Sequence, residues 1–166
     1  MSTPSFAEEH PRKNPDAPFL VLGGFADFIL PSTYMSAHGA IIGLANVAPV
    51  SVSFRIDTVA PQIDHPVLSQ HATARLFELS QSTLADQSLL PEAQRLQGIV
   101  ARGDFTIAKT GIPGTKFLLE KLYGYGGACR KPLPVIEPAA ADALWAHPHT
   151  QELVRLEREL SGKLAA

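Results

Sequence analysis

Residues 19–49, FLVLGGFADFILPSTYMSAHGAIIGLANVAP, decide how the chain is read. They hold two short apolar runs, 19–22 and 40–44, each ending in small residues where a site can open. Between them lies a segment of helical length, 26–37, which gives the order strand, helix, strand. A crossover of that length lets the two strands run parallel. Both runs are continuously apolar rather than alternating, which suits a parallel sheet covered on both faces. After the first run come Gly23 and Gly24, where a backbone can turn sharply or approach a ligand closely. Pro31 either shortens the crossover helix or sits in its first turn, where proline is tolerated. Gly39 ends the crossover. One such unit cannot close a sheet, and the rest of the chain looks helical or irregular.

Outward from this stretch, residues 1–18 carry four prolines and mixed charges with few aliphatics, and read as a disordered lead-in. Residues 50–70, VSVSFRIDTVAPQIDHPVLSQ, are neither helical nor cleanly alternating, and a structureless loop of that length is unusual inside a compact domain. Helical signals return at His71, with Ala72, Leu76, Leu79 and Thr83 on one face of a helix ending near Leu84. Pro91 opens the next helix, with Ala93, Leu96 and Val100 inward and Gly103 as its expected stop. Pro113 opens another, whose stripe is Leu118, Leu119 and Leu122, with Gly124 as terminator and Lys116 paired to Glu120 across one turn. Residues 124–138 are rich in glycine and proline. The last helices span 139–145 and 149–163, the second with Leu153, Leu156, Leu160 and Leu164 on one side. No internal repeat is visible.

At 166 residues the chain is the size of one domain. Charged residues make up 18% of it and the net charge is −2, which argues against nucleic-acid and acidic-membrane partners. A single cysteine, Cys129, excludes an internal disulfide and fits a reducing compartment. No apolar signal core precedes residue 19, and Pro31, His38 and Asn46 break up the most hydrophobic region. The expectation is a soluble protein of the cytoplasm or mitochondrion with no visible targeting segment.

Few residues advertise chemistry. TGIPGTK, residues 110–116, falls short of a phosphate loop because Thr precedes Lys, the glycine spacing is short and no strand leads in. YGYGGACR, residues 123–130, follows a helix and so is not a dinucleotide fingerprint; its glycines suit a helix cap and turn. Cys129 has no histidine neighbour and reads as structural. His147 and His149 are the only close histidines, and Pro148 between them spoils ligand spacing, so no metal or other cofactor is expected. Asp27 is a carboxylate at a strand end, where favourable interaction with a helix dipole is the simpler role.

Three motifs taken in order carry a resemblance: GGFADFILPS, HGAIIGLANVAP and TGIPGTKFLLEKLYGYGGACRKPL. Together they resemble the C-terminal half of the dihydrodipicolinate synthase/N-acetylneuraminate lyase family of class I, pyruvate-type aldolases, nearest its 4-hydroxy-2-oxoglutarate aldolase branch. The resemblance covers roughly residues 18–49 and 72–162. It implies an α/β fold: the last two strands of a (β/α)8 barrel in residues 19–49, then the eighth barrel helix and a C-terminal helical bundle in 71–166. It further implies a lyase acting on 2-oxo acids such as pyruvate, with no cofactor beyond a Schiff-base lysine. Family members place that lysine on the sixth strand, with a tyrosine and a Thr-Thr-Gly-type loop further upstream. Lys13, Lys109, Lys116, Lys121, Lys131 and Lys163 match none of the family's catalytic position. By the resemblance, Gly24 and Ile41 line the substrate pocket, and no catalytic residue is present. The expected activity of the chain alone is therefore nil. The alternative is a non-catalytic interaction protein that binds a full-length paralogue or forms a homo-oligomer.

The resemblance also sharpens residues 50–70. Removing those 21 residues joins NVAP to HATARLFELS, strand into helix. Val50-Ser51-Val52 can be encoded from GTGAGT, a splice-donor string, and Gln70 by CAG, an acceptor end. The segment is expected to be an aberrant insertion, a translated intron rather than a genuine loop. Genomic DNA lacking those strings would exclude it.

Overall fold

A computed structural model describes residues 20–47 and 72–164, with side chains to residue 160. The expectations for residues 1–18 and 50–70 lie outside the described residues. Strands β1 (Leu22–Gly23) and β2 (Gly39–Ala40) pair in parallel, Leu22 opposite Gly39 and Gly23 opposite Ala40. Backbone bonds extend the pairing by one residue at each end, His38 N–H to Val21 at 2.8 Å and Ile41 N–H to Gly23 at 2.8 Å. Both strands are shorter than their apolar runs. A 3-10 turn at Gly43–Asn46 takes up the end of the second run, and Gly39 belongs to the strand rather than the crossover.

The crossover is a 3-10 turn, Ala26–Phe28, leading into α1 (Ile29–Tyr34). Pro31 is the third residue of α1 and so breaks no intrahelical bond. Four helices follow α2 (Ala72–Ser82): α3 (Leu90–Ala108), α4 (Gly111–Tyr123), α5 (Pro138–Ala146) and α6 (Pro148–Leu164). Pro91 and Pro138 occupy the opening positions of α3 and α5, where their missing N–H costs nothing. Gly124 closes α4 in the left-handed conformation, φ 74°, and its N–H bonds Glu120 O at 3.0 Å.

Most of the predicted helical stripes lie in the observed core; Leu122 and Leu160 pack against it partly buried, Leu119 is only partly buried, and the Leu164 side chain lies outside the described residues. Ala72, Leu76, Leu79, Ala93, Leu96, Val100, Leu118, Leu153 and Leu156 are buried in one cluster with Ala26, Ile29, Leu30, Ile42 and Leu44 from the first region. Gly103 does not stop α3, which runs five residues further. Its role is steric: a Cβ there would lie 2.8 Å from Leu153 Cδ2, so glycine lets α6 approach α3. Lys116 donates to Ala128 O at 2.9 Å and fastens the loop after α4, in place of the predicted pairing with Glu120.

Polar side chains join the two regions. Gln97 of α3 accepts from Leu30 N–H at 2.7 Å and donates to Ala26 O at 2.9 Å. Asp104, one heptad along the same face, accepts from Ala26 N–H at 2.8 Å. No side chain local to the crossover caps it, so α3 supplies the caps from outside. Glu157 of α6 does the same for α2, accepting from Ala72 N–H at 2.8 Å.

Candidate active site at the strand ends

Gly24 and Ile41 are the first residues beyond the C-terminal ends of β1 and β2. The parallel register sets them side by side, and the Ile41 N–H to Gly23 O bond fixes that spacing. Both are exposed, Ile41 at 73%, and a Cβ on Gly24 would meet nothing within 4 Å. Open space above parallel strand ends is where α/β folds place substrates.

Alternation divides the strand pair into two faces. Ala40 and Ile42 point toward the helices and are each 8% exposed. Leu20, Leu22 and Ile41 fall on the opposite face by register and are exposed. The site rim is therefore apolar, with Phe25 beside it and also exposed.

The loop carrying Gly24 is held from below. Asp104 and Gln97 grip the backbone of residues 26–30, directly after Gly24. Burial raises the Asp104 carboxyl above the usual carboxylate range, and the Asp27 charge adds to this; the N–H groups of Ala26 and Asp27 pull the other way. Asp27 itself is exposed on the surface of the turn. From α4, the Tyr123 hydroxyl donates to Val47 O at 2.9 Å and anchors the end of the second run. Burial pushes that phenol up to about 12, helped by Glu157 and Tyr125. A donor so fixed is an anchor rather than a proton carrier.

The two glycine-bearing motifs meet elsewhere. Pro113, Phe117 and Glu120 of α4, the loop at Gly127–Cys129 and the start of α5 line a half-open cavity of about 310 Å³. Gly126 lies against α4 with φ 121°, where a Cβ would come within 2.8 Å of Lys116 O, so the loop's packing requires glycine. Cys129 lines this cavity at intermediate exposure. His147 and His149 stack edge to face at 4.8 Å, and His149 Nδ1 lies 3.3 Å from Thr106 Oγ1. Among the described residues no three histidine, cysteine or carboxylate side chains converge to hold a metal.

An aldolase of the Schiff-base type needs an amine at the strand ends. The described lysines are elsewhere: Lys109 lies over the Phe105 ring at 4.5 Å, Lys121 over Trp145 at 5.5 Å, Lys116 binds its loop and Lys131 is exposed in the segment before α5. Sequence reasoning missed Gln97 and Asp104. Their signal was an amide and an acid inside an otherwise apolar stripe, seven residues apart.

No model of a known protein family matches the chain. Curated relatives do. The chain is 29% identical over 126 residues to an L-threo-3-deoxy-hexylosonate aldolase of Hypocrea jecorina, covering 76% of this chain and 32% of that protein. It is 29% identical over 145 residues to a probable mitochondrial 4-hydroxy-2-oxoglutarate aldolase of Emericella nidulans, covering 87% and 38%. With an L-threo-3-deoxy-hexylosonate aldolase of Aspergillus niger the identity is 28% over 127 residues, covering 76% and 30%. The chain spans about a third of the length of these relatives. Among the described residues no helix is long and apolar enough to cross a membrane. The chain is thus related, over about a third of their length, to aldolases of the dihydrodipicolinate synthase family, the family its three motifs resemble.

Proposed function

We propose that the chain corresponds to the closing part of a class I aldolase barrel, with β1 and β2 as its seventh and eighth strands and α2 to α6 as the eighth barrel helix and helical tail. In this reading residues 50–70 interrupt the join between the eighth strand and α2. The substrate class is a 2-oxo acid of the pyruvate type, cleaved from or joined to an aldehyde. Gly24 contributes open backbone and Ile41 apolar bulk to the pocket wall. The attacking amine, the proton carrier and the carboxylate-binding loop belong to strands that precede this stretch in the family, so the chain alone does not turn over. The observation that carries the reading is the parallel pair itself: in-register strand ends, open above Gly24 and Ile41, in a chain related to aldolases.

A chimera tests it. The matched stretch of the Hypocrea jecorina aldolase is replaced by residues 19–49 and 72–162 of this chain, and the release of pyruvate or its analogue is followed from that enzyme's own substrate. Retained cleavage supports the reading. A folded chimera with no cleavage, and no recovery when Gly24 and Ile41 are exchanged for the relative's residues, overturns it.

The apolar strand face favours one second reading, a non-catalytic interaction protein that captures a full-length paralogue. It predicts a stable complex between this chain and a complete aldolase.

A further inference from the structure

The buried face of α3 carries an amide and an acid, Gln97 and Asp104, seven residues apart. An apolar residue at either position would pack without the cost of burying a polar group. That cost shows at Asp104, whose carboxyl burial raises above the usual carboxylate range. Both side chains reach the same short turn. Asp104 accepts from Ala26 N–H at 2.8 Å, while Gln97 donates to Ala26 O at 2.9 Å and accepts from Leu30 N–H at 2.7 Å. Ala26 is thereby held at both of its backbone groups. Three residues back, Gly23 O accepts from Ile41 N–H at 2.8 Å, which ties that end to β2. The Phe28 ring folds over the same glycine, where a Cβ would lie 2.8 Å from Phe28 Cε2. Gly24 and Phe25 are therefore a short bridge strung between two fixed points, and Gly24 shifts only if one of them gives.

We propose that Gln97 and Asp104 are positioning residues of the candidate site. From the buried side of the turn they set where the Gly24 backbone stands beyond the strand ends, and so how closely a substrate seats against that wall. This role rests on the aldolase reading above. Neither side chain touches substrate; both act through the backbone of Ala26 and Leu30. Buried polar groups that an apolar residue could replace at a gain in stability are a mark of sites whose geometry must be held. A wall that binds without reacting contributes to substrate affinity rather than to the chemical step, so loosening it raises KM and spares kcat. A cap that served the fold alone would move stability and leave both constants where they were.

The test begins with hydrogen exchange of the full chain. Asp104→Ala and Gln97→Ala should speed exchange at residues 24–30 about tenfold, well beyond any rise in α5. Asp104→Asn keeps an acceptor for the Ala26 N–H and should restore the protection. In the cleaving chimera described above, the two alanine variants should raise KM about tenfold and leave kcat within about twofold. Asp104→Asn should bring KM back. Leu144→Ala is the control for lost stability alone: it removes a buried leucine of α5, which packs against α4 and α6, and should leave KM unchanged. Where an alanine variant does not fold, Gln97→Glu takes its place; it keeps the acceptor for Leu30 N–H, loses the donor to Ala26 O, and should raise KM likewise. Unmoved exchange at residues 24–30, unmoved KM in a cleaving chimera, or an equal rise in Leu144→Ala overturns the proposal and leaves the aldolase reading standing. A chimera that neither cleaves nor recovers removes the reading and this proposal together.

Discussion

The strand region, 20–47, and the helical region, 72–164, are built on opposite terms. The helices bury their leucine stripes against one another, and α3 is the hub: Leu96 and Val100 are at most 1% exposed. The strand region borrows its order. Its crossover lacks a cap of its own and takes one from Gln97 and Asp104, its second run ends on the Tyr123 hydroxyl, and Tyr34 donates to Thr83 Oγ1 at 2.9 Å. It then turns an apolar face outward. The difference teaches that one side of the strand pair is packed against the helices, while among the described residues the other is left exposed.

The largest expected effect breaks the helical side. Leu96→Ala removes a side chain that is 1% exposed and should cost about 2–5 kcal/mol in chemical denaturation. Leu22→Ser, by contrast, should change stability by less than about 0.5 kcal/mol, because Leu22 is 36% exposed. Equal losses at the two positions would erase the distinction between the regions.

Cutting the links between regions comes next. Asp104→Ala leaves the buried Ala26 N–H without its acceptor and should cost about 1–3 kcal/mol, as should Gln97→Ala. The pH dependence sharpens this. Because the folded state raises the Asp104 carboxyl above 3.8, its protonated form is favoured on folding. The corresponding stability is present below pH 3.8 and is lost as pH rises through the folded value. Asp104→Asn keeps an acceptor and should flatten that part of the stability profile.

Smaller still is Tyr123→Phe, which removes one hydrogen bond worth about 1 kcal/mol. Ultraviolet titration gives it a signature: one of the three tyrosines should ionise near 12, and that step should vanish in the variant. Since the unfolded phenol ionises near 10, stability from this group is lost as pH rises from 10 through 12.

The helices were legible because period 3.6 and proline openings act locally: Ala72, Leu76, Leu79 and Thr83 are all buried as the stripe requires. Gly103 was misread because its reason lies 50 residues away, where Leu153 occupies the space of a Cβ. The strand order and parallel sense were legible from two apolar runs and a crossover, but not the bounds, which depend on pairing partners. At the site, Gly24 and Ile41 were reached only through family resemblance, and the parallel register then placed them side by side. Gln97 and Asp104 were not read at all. Their partners are backbone groups 67 to 78 residues distant, and a sequence pattern does not carry that separation.

The most direct measurement is borohydride reduction of the isolated chain with pyruvate, read by intact mass. No lysine described lies at the strand ends, so the account predicts an unmodified chain. A stable adduct on any lysine of this chain, located by peptide mapping, would contradict it.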